Sequence, residues 1–315
     1  TSSGKTELSL RLAKKFNGVI ISADSRQIYK HMDIATAKIK KSEQNNIPHY
    51  MLDVIEPDED FTVSQYQKTV YNLLDSIAKS NFKKSKKIVP FIVGGTGLYV
   101  KAIIDGYSIP KVPPNKKLRD ELNDLSLDEL VKKLLKLDPN TQVDLKNKRR
   151  IIRAIEIATH LGNNRAETSR NHSKIPPCHP ELDSGSIKIP GQARNDVLGN
   201  YEFLQIGLDV ERDQLYKRIE NKVDQMYKAG LIKETQKLLD MDYDINSPAM
   251  SALGYPQIYQ YLKHKITLKK ALYTMKQSTK KYAKRQLTWF KKDTRINWVK
   301  KYPEAEKLIK TFLNK

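Results

Sequence analysis

One cysteine, Cys178, stands in a chain of 315 residues. A lone thiol forms no internal disulfide, so a scaffold built on cystine cross-links is excluded and a reducing cytoplasm is expected. That cysteine and six scattered histidines offer no zinc-ligand spacing. No apolar run approaches the length needed to span a bilayer, and no segment repeats. The opening residues, Thr1-Ser2-Ser3-Gly4, are polar and predict no signal peptide. Acidic residues are scarce beside basic ones, 36 against 57, which leaves a net charge of +21. A surplus of that size implies a polyanionic partner, a membrane surface or an AT-rich genome that favours Lys, Ile and Asn.

What is present begins with Thr1-Ser2-Ser3-Gly4-Lys5-Thr6, the second half of a phosphate loop. The full pattern G-x-x-x-x-G-K-[ST] requires a Gly two residues before Thr1 and a buried strand before that, so a truncated N-terminus is expected. Loop amides, the start of a helix and the Lys5 ammonium together suit a di- or triphosphate. The Thr6 hydroxyl suits a phosphate-bound Mg²⁺. Chance also produces Gly-Lys-Thr before helices, but the apolar run Val19-Ile20-Ile21 follows at the right distance.

That run predicts a buried parallel strand delivering Asp24 at its carboxyl end. Asp24 could cap a turn, hold Mg²⁺ or act as a general base. A helix is predicted over 62–81 and a second buried strand over 87–93, ending at Gly94-Gly95-Thr96-Gly97. That turn either closes a strand-to-helix connection or brings backbone and the Thr96 hydroxyl against a ligand. The order predicts an α/β fold, a P-loop NTPase-like parallel sheet flanked by helices. His49 reads as an ordinary turn or core residue.

Prolines 110, 113 and 114 mark a boundary. Residues 1–111 form the expected core domain, lacking its first strand. Residues 112–170 read as a helical insertion domain, with Leu127, Leu130, Leu134 and Leu137 at helical spacing. Residues 171–200, rich in Pro, Gly, Ser and Asn, read as a flexible, tolerated surface insert whose composition resembles peptides encoded by mobile repeat elements. Residues 201–315 return to the core, through a strand at Phe203–Leu208, and end in basic helices. Two basic stretches stand out. Arg149, Arg150 and Arg153 share one side of a helix, either as a solvated face or as phosphate contacts. From Lys276 to Lys301, Lys280, Lys284 and Arg285 interleave with Tyr282, Trp289 and Phe290, rings that suit either a core or a base-stacking platform.

Seven strings in series carry a resemblance. They run Ser2-Ser3-Gly4-Lys5-Thr6, Asp24-Ser25-Arg26-Gln27-Ile28-Tyr29 with Met32-Asp33-Ile34-Ala35-Thr36-Ala37-Lys38, Ile47-Pro48-His49-Tyr50-Met51-Leu52-Asp53, and Gly94-Gly95-Thr96-Gly97-Leu98-Tyr99. Arg150-Ile151-Ile152-Arg153-Ala154-Ile155-Glu156, Ala252-Leu253-Gly254-Tyr255 and Tyr282-Ala283-Lys284-Arg285-Gln286-Leu287-Thr288-Trp289-Phe290 follow. Together they resemble the tRNA dimethylallyltransferase (tRNA isopentenyltransferase) family. The resemblance implies transfer of a dimethylallyl group from dimethylallyl diphosphate to N6 of the adenine 3′ of the anticodon (position 37), in tRNAs reading codons that start with U.

It further implies Mg²⁺ bound through Thr6 and a diphosphate held by Thr1, Ser2, Ser3, Gly4, Lys5, Thr6 and Lys280. Asp24 becomes the base and Thr96 its catalytic companion. Asp24, Ser25, Arg26, Gln27, Thr96, Arg119, Arg149, Arg150, Arg153, Lys284 and Arg285 become contacts to the tRNA anticodon stem-loop. A monomer is expected, one tRNA arm to one cleft. Two positions depart from the family pattern: Lys280 stands for an Arg, which removes a bidentate fork, and Arg149 stands for a Gln. Competing readings are a phosphate-loop small-molecule kinase, which needs no long basic tail, and an inactive RNA-binding relic.

Overall fold

The computed structural model describes residues 2–81, 87–107, 109, 110, 112–167 and 201–314, with only the backbone of 163–167. Thr1, Cys178 and the expected insert at 171–200 lie outside the described residues. The chain divides into two compact units, one from residues up to 107 and from 191 onward, the other from 108 to 190.

In the first unit, α1 (Lys5–Lys15) starts at Gly4, whose φ of +93° is left-handed. The helix ends at Asn17, also left-handed at φ +51°, as a residue after a helix C-terminus often is. The chain turns directly into β1 (Gly18–Ala23), every residue of which is buried. β1 pairs in parallel with β2 (His49–Tyr50) on one side and with β3 (Val89–Gly94) on the other. Between β2 and β3 runs α2 (Val63–Asn81), which buries Tyr66, Val70, Leu74 and Ile77 at helical spacing. Tyr66, Val70 and Leu74 pack with Ile21 and Ala23 of β1 and with Tyr99 and Ile103 of α3 (Gly97–Ile104). The parallel α/β architecture expected from the strand–turn–helix order is thus present. The register sets Ala23 of β1 beside Gly94 of β3, so both strands end at one level.

The strand expected at Phe203–Leu208 is shorter and lies elsewhere. β4 (Ile206–Leu208) pairs in parallel with β5 (Asn297–Val299) in a separate two-stranded sheet. Phe203 packs against the α2–α3 core, and Leu204 against the cluster of Leu12 and Ile309, so burial spends their apolar side chains on packing. The ladder covers Ile206–Leu208, flanked by Gln205 C=O accepting from Asn297 N–H at 3.0 Å and Asp209 N–H donating to Val299 C=O at 2.9 Å. Helices α7 (Arg212–Lys228), α8 (Leu231–Asp240), α9 (Tyr255–Leu262) and α10 (Leu268–Phe290) share a core of Val223, Leu231, Ile258, Ala271 and Met275. Helix α11 (Tyr302–Leu313) closes the unit, its Ala305 and Ile309 packed with Leu12 of α1.

The second unit is helical. α4 (Lys116–Asn123) is capped by Asn115, whose side chain accepts from Leu118 N–H. α5 (Leu127–Leu137) opens on a reciprocal Ser126–Glu129 capping box. α6 (Lys148–Glu167) lays Ile151, Ile152 and Ile155 on Leu122, Leu130 and Leu134. Each such fully buried side chain contributes about 1.5–3 kcal/mol. Leu127 and Leu137, expected on the same face, are exposed, because they are the first and last residues of α5 and overhang that core. Among the described residues no helix is long and apolar enough to cross a membrane.

Candidate active site

Asp24 follows β1 directly, at the strand end where parallel sheets present chemistry. One of its carboxylate oxygens accepts from Arg26 N–H at 2.9 Å, which folds the chain back and fixes the carboxylate. The neighbouring strand end supplies Thr96. Its hydroxyl accepts from Ser25 N–H at 3.0 Å and lies 3.3 Å from the Ser25 hydroxyl, while Thr96 N–H donates to Ala23 C=O at 3.1 Å. A Cβ on Gly94 would stand 2.0 Å from the Ala23 carbonyl oxygen, so only glycine lets the strand ends approach this closely.

Three tyrosines feel the Asp24 charge. Burial first, and then Asp24 among neighbouring groups, pushes the hydroxyls of Tyr66, Tyr99 and Tyr282 above the ordinary tyrosine range, so all three remain protonated. Tyr66 and Tyr99 stack with centroids 4.0 Å apart, and Tyr66 donates to Ser22 C=O at 3.1 Å. They brace the last turn of strand before Asp24.

Helix α10 covers the glycine-rich turn. Gln286 donates to Gly95 C=O at 2.7 Å, and the Trp289 ring fills the space that a Cβ on Gly97 would need. The aromatic and amide residues of the basic tail therefore build the site wall.

At the head of α1, the Lys5 ammonium lies 3.4 Å from the Ser3 hydroxyl and Thr6 is exposed. Arg218, from α7, donates to Ser3 C=O at 3.3 Å and so brings a second cation to the loop. Sequence reasoning passed over Arg218, because a basic residue beside the buried Leu215 and Ile219 carries no signature of its own. The phosphate-loop head, the carboxylate at the β1 end and the glycine-rich turn beside that carboxylate all belong to the first unit.

The family model described as IPP transferase matches residues 27–293. A tRNA dimethylallyltransferase of Halothermothrix orenii is 41% identical over 327 residues, covering 99% of this chain and 91% of its own. The solved full-length tRNA isopentenylpyrophosphate transferase of Bacillus halodurans is 34% identical, with a TM-score of 0.66 over 100% of this chain and 93% of its own. The tRNA Δ(2)-isopentenylpyrophosphate transferase of Staphylococcus epidermidis is 32% identical, also at 0.66, over 100% and 96%. This chain belongs to the tRNA dimethylallyltransferase family. It is a transferase, and the reaction expected from its motifs, dimethylallyl transfer to tRNA adenine, is the family's; the kinase reading is set aside.

The remaining charged residues of the transferase fall in distinct settings. Arg26 reaches Pro248 C=O, and the Gln27 amide spans Ser22, Thr36 and Ala37. Lys280 pairs with Glu220 of α7 at 2.5 Å and stands 5.3 Å from the Tyr216 ring centre. Lys284 and Arg285 are exposed, Arg285 stacking over Tyr282. In the second unit Arg149 is exposed and Arg150 lies 3.7 Å from Asp144. Arg119 grips Glu156 bidentately at 2.9 and 2.8 Å, and Arg153 reaches both Glu156 and Val112 C=O. Burial would raise the pKa of Glu156, but the hydrogen bonds from Arg119, Asn115 N–H and Arg153 outweigh it and hold the carboxyl below its usual range. Arg119, Arg150 and Arg153 are thus spent partly on the fold of their own unit.

Proposed function

We propose that Asp24 is the general base of the transfer, acting on the N6 amine of a tRNA adenine turned out of its stack. The N6 lone pair forms a bond to C1 of the dimethylallyl group, and the C1–O bond breaks with its electron pair leaving on diphosphate. One N6 proton passes to the Asp24 carboxylate. An exocyclic amine is a weak nucleophile, so removal of this proton as the bond forms is where a carboxylate helps. Thr96 keeps Ser25 and the strand end in register, and Gln27 with Ser25 and Arg26 meets the nucleotide. Unstacking the adenine costs a few kcal/mol, which the tRNA contacts offset.

The amides of the Ser2–Thr6 loop, Lys5 and Arg218 hold the departing diphosphate. Lys280 adds a cation as it exchanges Glu220 for phosphate oxygen. Donors aimed at the charge that develops on the leaving group act where water is scarce. The exposed Thr6 hydroxyl, a hard oxygen donor, would hold Mg²⁺. Such an ion, when bound, neutralises charge on the diphosphate. Among the described residues no group of three or more His, Cys, Asp or Glu side chains could hold a metal without such help. Arg119, Arg149, Arg150, Arg153, Lys284 and Arg285 contact the backbone of the anticodon stem-loop, and the chain works as a monomer in the cytoplasm. The observation that carries this reading is Asp24 pinned beside Thr96 at the shared strand end.

The test is transfer of label from radiolabelled dimethylallyl diphosphate to unmodified tRNA, in Mg²⁺ and in chelator. Transfer that needs Mg²⁺ and disappears in Asp24→Asn supports the reading. Salt-sensitive tRNA binding without transfer would favour a relic that keeps only the electrostatic footprint.

A further inference from the structure

Two of the family strings, Met32–Lys38 and Ala252–Tyr255, lie outside the chemistry described above. They meet at one half-buried carboxylate. Glu234 of α8 accepts from three successive backbone amides: Asp33 N–H at 2.9 Å, Ile34 N–H at 2.7 Å and Ala35 N–H at 3.1 Å. The Tyr255 hydroxyl donates to the same carboxylate at 2.8 Å. Tyr255 is fully buried, and burial followed by the Glu234 charge pushes its hydroxyl far above the ordinary range, so it stays a donor. Successive amides converging on one anion make a nest, and here the anion is part of the chain.

The nest continues towards the active site. Its next two carbonyls, Thr36 C=O and Ala37 C=O, accept from the Gln27 amide nitrogen at 3.2 and 3.4 Å. The Gln27 amide oxygen accepts from the Ser22 hydroxyl at 3.0 Å, two residues before Asp24. Both ends of the Gln27 amide are therefore fixed, and the orientation of its N–H₂ depends on where residues 36 and 37 sit. Lys38 closes the loop from the other side, its buried ammonium bonded to Tyr29 C=O, Asp33 and Asp53. Gly254 explains the second string: its φ of +118° disfavours a side chain, and a Cβ there would lie 3.3 Å from Ala35 Cβ and 3.1 Å from Met275.

We propose that Glu234 is a positioning residue for tRNA, acting through the 33–37 loop on Gln27. The inference rests on the assignment of Gln27 to the nucleotide. Glu234 is assigned no substrate contact of its own, and its carboxylate is occupied by the four donors named above. A charge-assisted acceptor of several amides holds a loop more firmly than a neutral one.

The experiment is a double-variant cycle. Glu234→Gln, Glu234→Asp, Gln27→Ala and Glu234→Gln/Gln27→Ala are each assayed for kcat/KM with tRNA, for dimethylallyl diphosphate affinity and for Tm. Glu234→Gln should lower kcat/KM for tRNA tenfold or more and leave diphosphate affinity within twofold. Glu234→Asp, which keeps the charge, should recover part of the loss. The double variant should be no worse than Gln27→Ala alone, because the two act in series. Multiplying losses in the double variant, or a matching fall in diphosphate affinity, overturns the inference, since Glu234 would then act independently or only on general stability. A silent Gln27→Ala overturns it together with the assignment of Gln27. A damaged Gln27→Ala beside an unaffected Glu234→Gln overturns the inference alone.

Discussion

The hydroxyl of Thr96 accepts a hydrogen bond from the backbone N–H of Ser25 at 3.0 Å, across 71 residues of sequence. The bond ties the carboxyl end of one parallel strand to the residue after Asp24. Without it the Ser25 amide loses its partner, at a cost of about 1–3 kcal/mol when a buried donor is left unmade. Thr96→Val, which keeps the shape and removes the acceptor, should lower kcat roughly tenfold by that arithmetic, and Thr96→Ser should restore most of it. An unchanged kcat in the valine variant would mean that the strand ends hold their register by packing alone.

Asp24→Asn keeps the size of the side chain and its acceptor for Arg26 N–H but cannot take the amine proton. Loss of a general base lowers kcat by about 10²–10⁴-fold. Binding of tRNA and of dimethylallyl diphosphate should stay within a few-fold of the parent, as filter binding and calorimetry would show. A kcat within tenfold of the parent would remove Asp24 from the proton transfer.

Arg218 donates to Ser3 C=O and so stands beside the phosphate loop. Arg218→Ala should weaken dimethylallyl diphosphate binding at least tenfold, and inorganic diphosphate binding with it, consistent with about 1.5–3 kcal/mol for a hydrogen bond to a charged group. Isoprenoid alcohol without the diphosphate should bind both proteins equally. Equal diphosphate affinity in parent and variant would reduce Arg218 to a strut between α7 and the loop.

Glu156 carries a pH prediction. Its carboxyl titrates below the usual range in the folded unit, because the hydrogen bonds from Arg119, Asn115 and Arg153 overcome the cost of burial. A depressed carboxyl stabilises the fold above its unfolded pKa, and that stability is lost as pH falls through the folded value. Melts of the protein should therefore show the second unit weakening only below about pH 4.5, the ordinary carboxyl value. Glu156→Gln should flatten that acid limb and cost about 2 kcal/mol at neutral pH. The figure lies under the ~3–5 kcal/mol of a wholly buried pair because Arg119 and Arg153 are partly exposed. A variant as stable as the parent at pH 7 would contradict the account.

The strands and helices that frame the site are legible in the sequence because burial writes itself into short apolar runs. Val19–Ile21 and the 87–93 run predict β1 and β3, and the glycines after the second run mark where backbone must approach backbone. Asp24 and Thr96 follow from those strand ends. Long-range polar contacts have no such imprint. Nothing local to Arg218 or Glu234 tells them from solvated residues on an amphipathic helix, and what makes them matter lies at Ser3 and at residues 33–35. The same blindness affects Arg119, whose partner Glu156 lies 37 residues on, whereas Arg153 and Glu156 stand three apart on one helix. Phe203–Leu208 misleads for another reason: alternating apolar residues serve a packed extended segment as well as a paired strand.

The bond from Gln286 to Gly95 joins residues 191 apart, and Trp289 fills the space over Gly97. During synthesis the glycine-rich turn leaves the ribosome long before its wall does. At about 5–20 residues per second the gap lasts on the order of ten seconds or more. Throughout that interval the β1–β3 ends can form while the turn stays open to water on the side that α10 will cover. A partly made chain therefore lacks this wall of the site, and competence arrives late, with the helix that bears the basic tail.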